Sequence, residues 1–169
     1  AKTAFYSHPI CQEHEAGPGH PEQPARLKAI LEALNAPEFG DLNRQSAPVS
    51  DIAALKEVHD ADLVDLIFAK MPSTGYAAID GDTLMSSASG EAALRAVGAV
   101  RAAVDAVMTG SADNAFCAVR PPGHHAEAAD AMGFCFYNNI AVGAAHAKAK
   151  YGAKRIAVLD FDVHQCNGT

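Results

Sequence analysis

Basic residues are few and scattered, 13 Lys and Arg against 20 Asp and Glu, for a net charge of −7. No cluster of them could neutralise a run of phosphates, which argues against a nucleic-acid partner. The acidity instead suits a cationic substrate or partner, although most surface carboxylates only form a solvated face. Cysteine is sparse as well. Cys11, Cys117, Cys135 and Cys166 form no C-x-x-C, so a zinc ribbon or thioredoxin-type motif is excluded on spacing. Cys117 lies in an apolar run and reads as a small core residue. No apolar run reaches the ~18 residues of a membrane helix, and no basic stretch leads into one as in a signal peptide. The expectation is a cytoplasmic protein with no membrane partner. Repeats and low-complexity segments are absent too.

The chain has 169 residues, enough for one domain with a real core. Apolar residues make up 49% and charged residues 20%, the balance of a globular protein. "TAFYSH" has the length and apolarity of a strand, and the Pro-, Gly- and His-rich stretch after it reads as loop. Helical spacing of Ala25, Leu27, Ile30, Leu31 and Leu34 predicts a helix over Glu22 to Asn35. Ser50 and Asp60 are the expected N-caps of two shorter helices, the second ending before Pro72. A polar connection leads into an Ala-rich helix from Gly90 to Met108, closed by Gly110.

The last third carries the chemistry. "AFCAVR" (Ala115 to Arg120) and "RIAVLDFDV" (Arg155 to Val163) are expected strands, joined by the helix "NIAVGAAHAKAKY", which Gly152 ends. Strand, helix and strand make a βαβ unit with parallel strands, and hence a three-layer αβα domain with a parallel sheet. Ligands in such sheets bind beyond the carboxyl ends of the strands. His124 and His125 follow the first strand, and Asp160, Asp162 and His164 share one face at the end of the second. Burying two carboxylates and an imidazole unpaired is costly, and a divalent cation or a partner histidine resolves the cost. Carboxylate plus imidazole suits zinc, which catalytic sites hold with three protein ligands and an open position. Histidine is also the group that takes and returns a proton near neutral pH.

"RPPGHHA", "GFCFYNNIAVGA" and "DFDVH", in this order and spacing, resemble the histone deacetylase superfamily, particularly its bacterial amidohydrolases, acetylpolyamine amidohydrolases among them. "GHPEQPARL" and "VHDADLVDLI" resemble the N-terminal segments of that family. The resemblance implies the arginase/deacetylase type of α/β fold and zinc-dependent removal of acetyl groups from acetyl-lysine or acetylpolyamine. It implies Asp162 and His164 as zinc ligands, His124 and His125 as the proton-handling pair, Asp160 as the carboxylate behind His124, and Asn167 as the partner of His125. It further implies Gly133 and Phe134 as walls of a substrate tunnel and Arg26 as the arginine of an inner cavity. Asp82, or Asp80 in a second alignment, corresponds to the loop aspartate that grips the substrate. A structural potassium ion beside Asp160 and Asp162 belongs to the same pattern.

This sequence departs from the pattern in two places. Gln165 and Cys166 stand where the family reads His-Gly. A positive φ at Cys166 would cost roughly 1–2 kcal/mol, so displacement of the loop that aims His164 is expected. The family's third zinc ligand, an aspartate, and its oxyanion-stabilising tyrosine lie further downstream and have no counterpart here. The expectation is therefore that residues 1–169 form the N-terminal portion of a single deacetylase-like domain, apparently truncated and inactive alone. Copies are expected to associate through its exposed sheet edge. The alternative is a catalytically inactive deacetylase-like binding module or assembly subunit.

Overall fold

The structure, a computed structural model, describes residues 1–169. At its centre lies a parallel sheet of three strands in the order β2 (Asn43–Ser46), β1 (Thr3–Ser7), β5 (Asn114–Cys117). β1 is the middle strand, and Ala4, Phe5 and Tyr6 are buried on both of its faces, which is why an uninterrupted apolar run occupies it. Helix α2 (Pro24–Ala33) covers one face, seating Leu27 against Phe5, Cys11 and Ala118; Cys11 comes from the short helix α1 (Ile10–Glu13). The long helix α5 (Ser89–Met108) covers the other, its Ala99 and Ala106 packed on Ala4, Tyr6 and Ala47. Alanines let this helix approach the sheet closely, and helix α6 (Asn139–Tyr151) packs on α5. The result is the expected three-layer α/β architecture.

A larger apolar cluster lies beside the sheet. Leu55 of α3 (Ile52–Leu55) and Val64 and Ile67 of α4 (Ala61–Lys70) pack there with Val97, Phe136, Tyr137 and Val142. Burying side chains such as Leu55, Ile67 and Phe136 contributes about 1.5–3 kcal/mol each. Helix ends follow local chemistry. Asp51, not the expected Ser50, caps α3 by accepting the Ala54 N–H at 2.8 Å. Ser50 is instead buried one residue earlier, where its hydroxyl accepts from Arg101 at 3.1 Å. Asp60 does occupy the N-cap position of α4, which ends at Lys70, ahead of Pro72. Gly152 closes α6 with a left-handed φ of 67°.

Three expectations need correction. Residues 155–163 make no strand ladder, so the parallel pair expected across α6 does not form. An extended run becomes a strand only beside another strand, and β5 gives its one bonded edge to β1. β5 itself stops at Cys117, short of the expected Arg120. Within the polar connection, Ala77–Ala78 (β3) and Leu84–Met85 (β4) pair as a short antiparallel hairpin. β2, with the sequence NRQS and every residue exposed, had no apolar pattern by which to be found. No helix is long and apolar enough to cross a membrane.

Candidate active site

The chain leaves β5 through a buried arginine. Arg120 Nε donates to Glu22 Oε1 at 2.6 Å and its NH2 group to Glu22 Oε2. Its NH1 group donates to the carbonyls of Cys11 at 2.8 Å and His14 at 3.0 Å. Burial alone would raise the Glu22 pKa, but hydrogen bonds from His14 and Arg120 outweigh it and hold the carboxylate down at about 2. The exit of β5 is thereby tied to α1 and to the loop before α2. The loop bearing His124 and His125 starts from this anchor.

Each histidine has a partner on its Nδ1 side. His124 Nδ1 donates to Asp160 Oδ2 at 2.9 Å, and His125 Nδ1 to Asn167 Oδ1 at 2.6 Å. The orientation of the Asn167 amide follows from its other contacts. Its Nδ2 donates to Glu127 Oε1 at 2.7 Å and to the His125 carbonyl at 3.3 Å, groups that only accept, so the oxygen faces the imidazole. Both rings therefore carry a proton on Nδ1, and neither Nε2 bonds another protein group. The ring centroids are 4.2 Å apart. The loop carrying Asn167 is held in turn by Gly168, whose N–H donates to the His124 carbonyl at 3.0 Å. A Cβ there would lie 2.1 Å from the Ala126 carbonyl oxygen.

The opposite wall is a tight turn from Met132 to Cys135 in which Gly133 (φ 57°) and Phe134 (φ 69°) are both left-handed. The His125 ring lies so close over Gly133 that a Cβ would meet it at 2.5 Å. Phe134 is the one non-glycine residue with positive φ, and Thr83 Oγ1 secures it by accepting its N–H at 3.1 Å. The His20 ring packs edge-on against Phe134 at 4.7 Å and its Nε2 donates to the Asp82 carbonyl at 3.0 Å. Asp80 is spent inside its own turn, accepting the N–H groups of Asp82 and Thr83, so Asp82 is the aspartate that borders the cavity. That cavity, of about 500 Å³, is lined by Arg26, Asp82, His124, His125, Gly133, Phe134, Asp162 and His164. Arg26 also borders a second pocket of about 170 Å³ beneath α2.

Asp162 and His164 reach the cavity but bond chiefly to each other, Oδ1 accepting from the His164 ring and from its backbone N–H, both at 2.8 Å. The bond from the backbone N–H, and then that from the ring, hold Asp162 below the usual carboxylate range. Asp160 is likewise lowered, by the Asp162 N–H first and by His124 second. No three His, Cys, Asp or Glu side chains converge as a metal-binding group. Asp162 and His164 offer zinc two donors of a suitable kind, but this chain's residues do not complete a three-ligand set. The expected strain at Cys166 is absent, because its φ is not positive; the strained backbone of the site is at Phe134.

The geometry thus gathers His124, His125, Gly133, Phe134, Asp82, Asp162 and His164 around one cavity, with Asp160 and Asn167 bonded behind the two histidines. Sequence reasoning missed Glu22, Arg120, His20, Thr83, Glu127 and His59, which hold those residues in place. His59 accepts the Asn138 N–H at Nε2 (2.9 Å) and donates from Nδ1 to the Glu127 carbonyl (2.8 Å), pinning the loop that carries the site. Only Glu22 and Arg120 left a signal, charged residues set against apolar segments and in need of a buried partner.

The histone deacetylase domain family matches residues 20–169. A histone deacetylase-like amidohydrolase of Pseudomonas aeruginosa is 38% identical over 99% of this chain and 49% of its own length. The polyamine deacetylase HDAC10 of Rattus norvegicus is 53% identical over 43% of the chain and 12% of its own. The solved HD domain of HDA15 superposes with a TM-score of 0.92 at 35% identity, across 99% of this chain and 49% of that one. The chain therefore spans about half the length of the amidohydrolase and of the HD domain it matches. With 150 residues inside the family match, this chain belongs to the histone deacetylase family.

Proposed function

We propose that residues 1–169 form the N-terminal portion of a single deacetylase domain and supply the proton-handling part of a zinc-dependent amidohydrolase. Its substrate class is acetylated amines, acetyl-lysine or acetylpolyamine. The observation that supports it is the pair of imidazoles with Nδ1 committed to Asp160 and Asn167 and Nε2 open to a cavity bordered by Asp162 and His164. Zinc, when bound, supplies Lewis-acid polarisation of the acetyl carbonyl. Asp162 and His164 would give two of its ligands and a third comes from polypeptide beyond these residues. A structural potassium beside Asp160 and Asp162 belongs to the same proposal.

Within this chain the division of labour follows from the partners. His125, whose Nδ1 donates to the Asn167 amide oxygen, is the general base of this reading. It takes the proton of the attacking water and returns it to the amine nitrogen as the amide C–N bond breaks. His124, whose Nδ1 bonds the Asp160 carboxylate, lies beside it on the cavity wall and faces the carbonyl oxygen on which negative charge develops. Water and amide are consumed, and amine and acetate are released. A binding-module reading keeps one observation in its favour, the incomplete ligand set.

The test joins the C-terminal half of the Pseudomonas relative to Thr169 and assays hydrolysis of acetyl-lysine and acetylpolyamine with added zinc. The joined protein should turn over, and His125→Ala should cost ~10²–10⁴ in rate. The chain alone should not turn over, because losing an oxyanion donor alone costs ~10²–10³. A folded, zinc-loaded joined protein with no hydrolysis would leave the binding module as the surviving reading.

A further inference from the structure

The two histidines have unlike partners. Asp160 offers His124 a carboxylate, which accepts the Nδ1 proton with whichever oxygen faces it. Asn167 offers His125 an amide, one end of which accepts while the other donates. Turned the other way, that amide would present Nδ2 to the ring, and the proton of His125 would move to Nε2. Three groups accept from Nδ2 as it stands. The His125 carbonyl at 3.3 Å and Met132 Sδ at 3.4 Å are long contacts, whereas Glu127 Oε1 lies at 2.7 Å. Glu127 is not a loose surface acid. Its carbonyl accepts from His59 Nδ1 at 2.8 Å and its N–H donates to the Asp130 carbonyl at 2.8 Å. The next carbonyl, of Ala128, accepts the Asp60 N–H at 2.8 Å, which ties this stretch to the start of α4.

We propose that Glu127 is a positioning residue of the candidate site, fixing the Asn167 amide so that its oxygen faces His125 and the ring keeps its proton on Nδ1. The role rests on the reading of His125 as general base. Half a turn of the amide would set Asn167 Oδ1 against the Glu127 carboxylate, acceptor against acceptor, where a 2.7 Å hydrogen bond now stands. It would also leave the His125 carbonyl facing an oxygen. Losing a hydrogen bond to a charged group typically shifts an equilibrium by about tenfold or more, so Glu127 is enough to make one orientation dominant. The orientation matters to the chemistry. With its proton on Nε2, His125 would point a donor into the cavity where the attacking water has to give a proton up, and would not act as a base. Glu127 does not line that cavity and acts only through Asn167.

Long-range proton–nitrogen NMR spectra of the imidazole rings, in alkaline buffer where imidazole is neutral, read the tautomer of His125 in this chain, and His125→Gln assigns the signal. The native chain should show the Nδ1–H form. Glu127→Gln keeps an acceptor oxygen and should preserve it. Glu127→Lys puts a donor in its place, turns the amide, and should make Nε2–H the major form, a shift of about tenfold or more. Adding Asn167→Asp should restore Nδ1–H, because a carboxylate accepts from lysine and imidazole at once; a merely structural fault would not be repaired in this way. If the lysine variant does not fold, Glu127→Leu takes its place, and there too Nε2–H should rise by about tenfold or more. An unshifted tautomer in either folded variant would overturn the proposal, as would a shift that Asn167→Asp fails to reverse. In the chain joined at Thr169 to the C-terminal half of the Pseudomonas relative, kcat should follow the Nδ1–H fraction while KM stays near its native value. Equal turnover with either tautomer would remove Glu127 from the reaction. The expected tautomers without hydrolysis in any joined protein would instead count against the deacetylase reading and leave Glu127 as the group that orients Asn167.

Discussion

Arg120 does not border the candidate cavity, yet it ties the exit of β5 to Glu22, α1 and the turn after it. Removing one member of a buried ion pair leaves the other charge desolvated, typically at a cost of 3–5 kcal/mol. Arg120→Leu should lower the urea-unfolding free energy by about that much, and Glu22→Leu with Arg120→Leu should lose less than the sum of the single losses. Additive losses would show that the two side chains act independently. The pH dependence follows from the same residues. His59 is buried neutral, its pKa lowered by desolvation, so its contribution is present above the unfolded value of 6.5 and is lost as pH falls below it. Glu22, lowered from 4.5 to about 2, contributes fully above 4.5 and loses that contribution as pH falls towards 2. The second loss amounts to about 3 kcal/mol. Urea midpoints should therefore slip below pH 6.5 and fall more steeply below 4.5, the steeper part shrinking in Glu22→Gln. An equally steep acid limb in that variant would remove Glu22 from the account.

Elements were legible where an apolar period survived into the fold. α4, α5 and α6 were readable because Leu63, Val64 and Ile67, or Ala92, Ala96 and Val97, recur on a buried face, and because Gly152 stops α6. β2 was not, since four polar residues become a strand only through the ladder that β1 offers. Residues 155–163 failed in the opposite sense: the apolar run reads as a strand, but pairing is a property of two segments, and no strand lies beside this one. The paired histidines and the acids near them were legible as a cluster from "PGHH" and "DFDVH", and the structure places them together. The supports behind it, His20, Thr83 and Glu127, were not, because nothing local distinguishes them. Asn138 joins the two kinds of information. Its Oδ1 caps α6 through the Ala141 N–H at 3.0 Å, and its Nδ2 donates to the Ala126 carbonyl and to Thr169 Oγ1. Asn138→Ala should cost about 0.5–2 kcal/mol from the cap and a further 1–3 from unpaired buried groups. Exchange at Ala141 and Val142 should quicken with it. Asn138→Asp, which keeps the capping oxygen, should restore α6 but not the hold on Thr169. Full loss in both variants would place the effect outside the cap.

At the scale of the whole molecule, the two sides differ in how far they are covered. α2 and the cluster around Leu55, Phe136 and Tyr137 close their faces, while α6 buries only Val142, Gly143 and Ala147 and leaves Ile140 open. The candidate ligands hang on the open side, and this fixes what the chain should do with metal. Asp162 and His164 satisfy each other, His164 is 70% exposed, and no third donor converges on them. Zinc must first break that pair and then accept a site short of one protein ligand. Loss of a single outer-sphere partner typically costs ~10–100-fold in affinity, and loss of a ligand costs more. Titration of the chain against a competing chelator should therefore give a dissociation constant above about one micromolar. Joining the C-terminal half of the Pseudomonas relative should tighten it by several orders of magnitude, and His164→Ala should reverse that gain. A nanomolar constant for the chain alone would mean that His124, His125 or Cys166 turns in as a third ligand. That would make the site self-sufficient in metal.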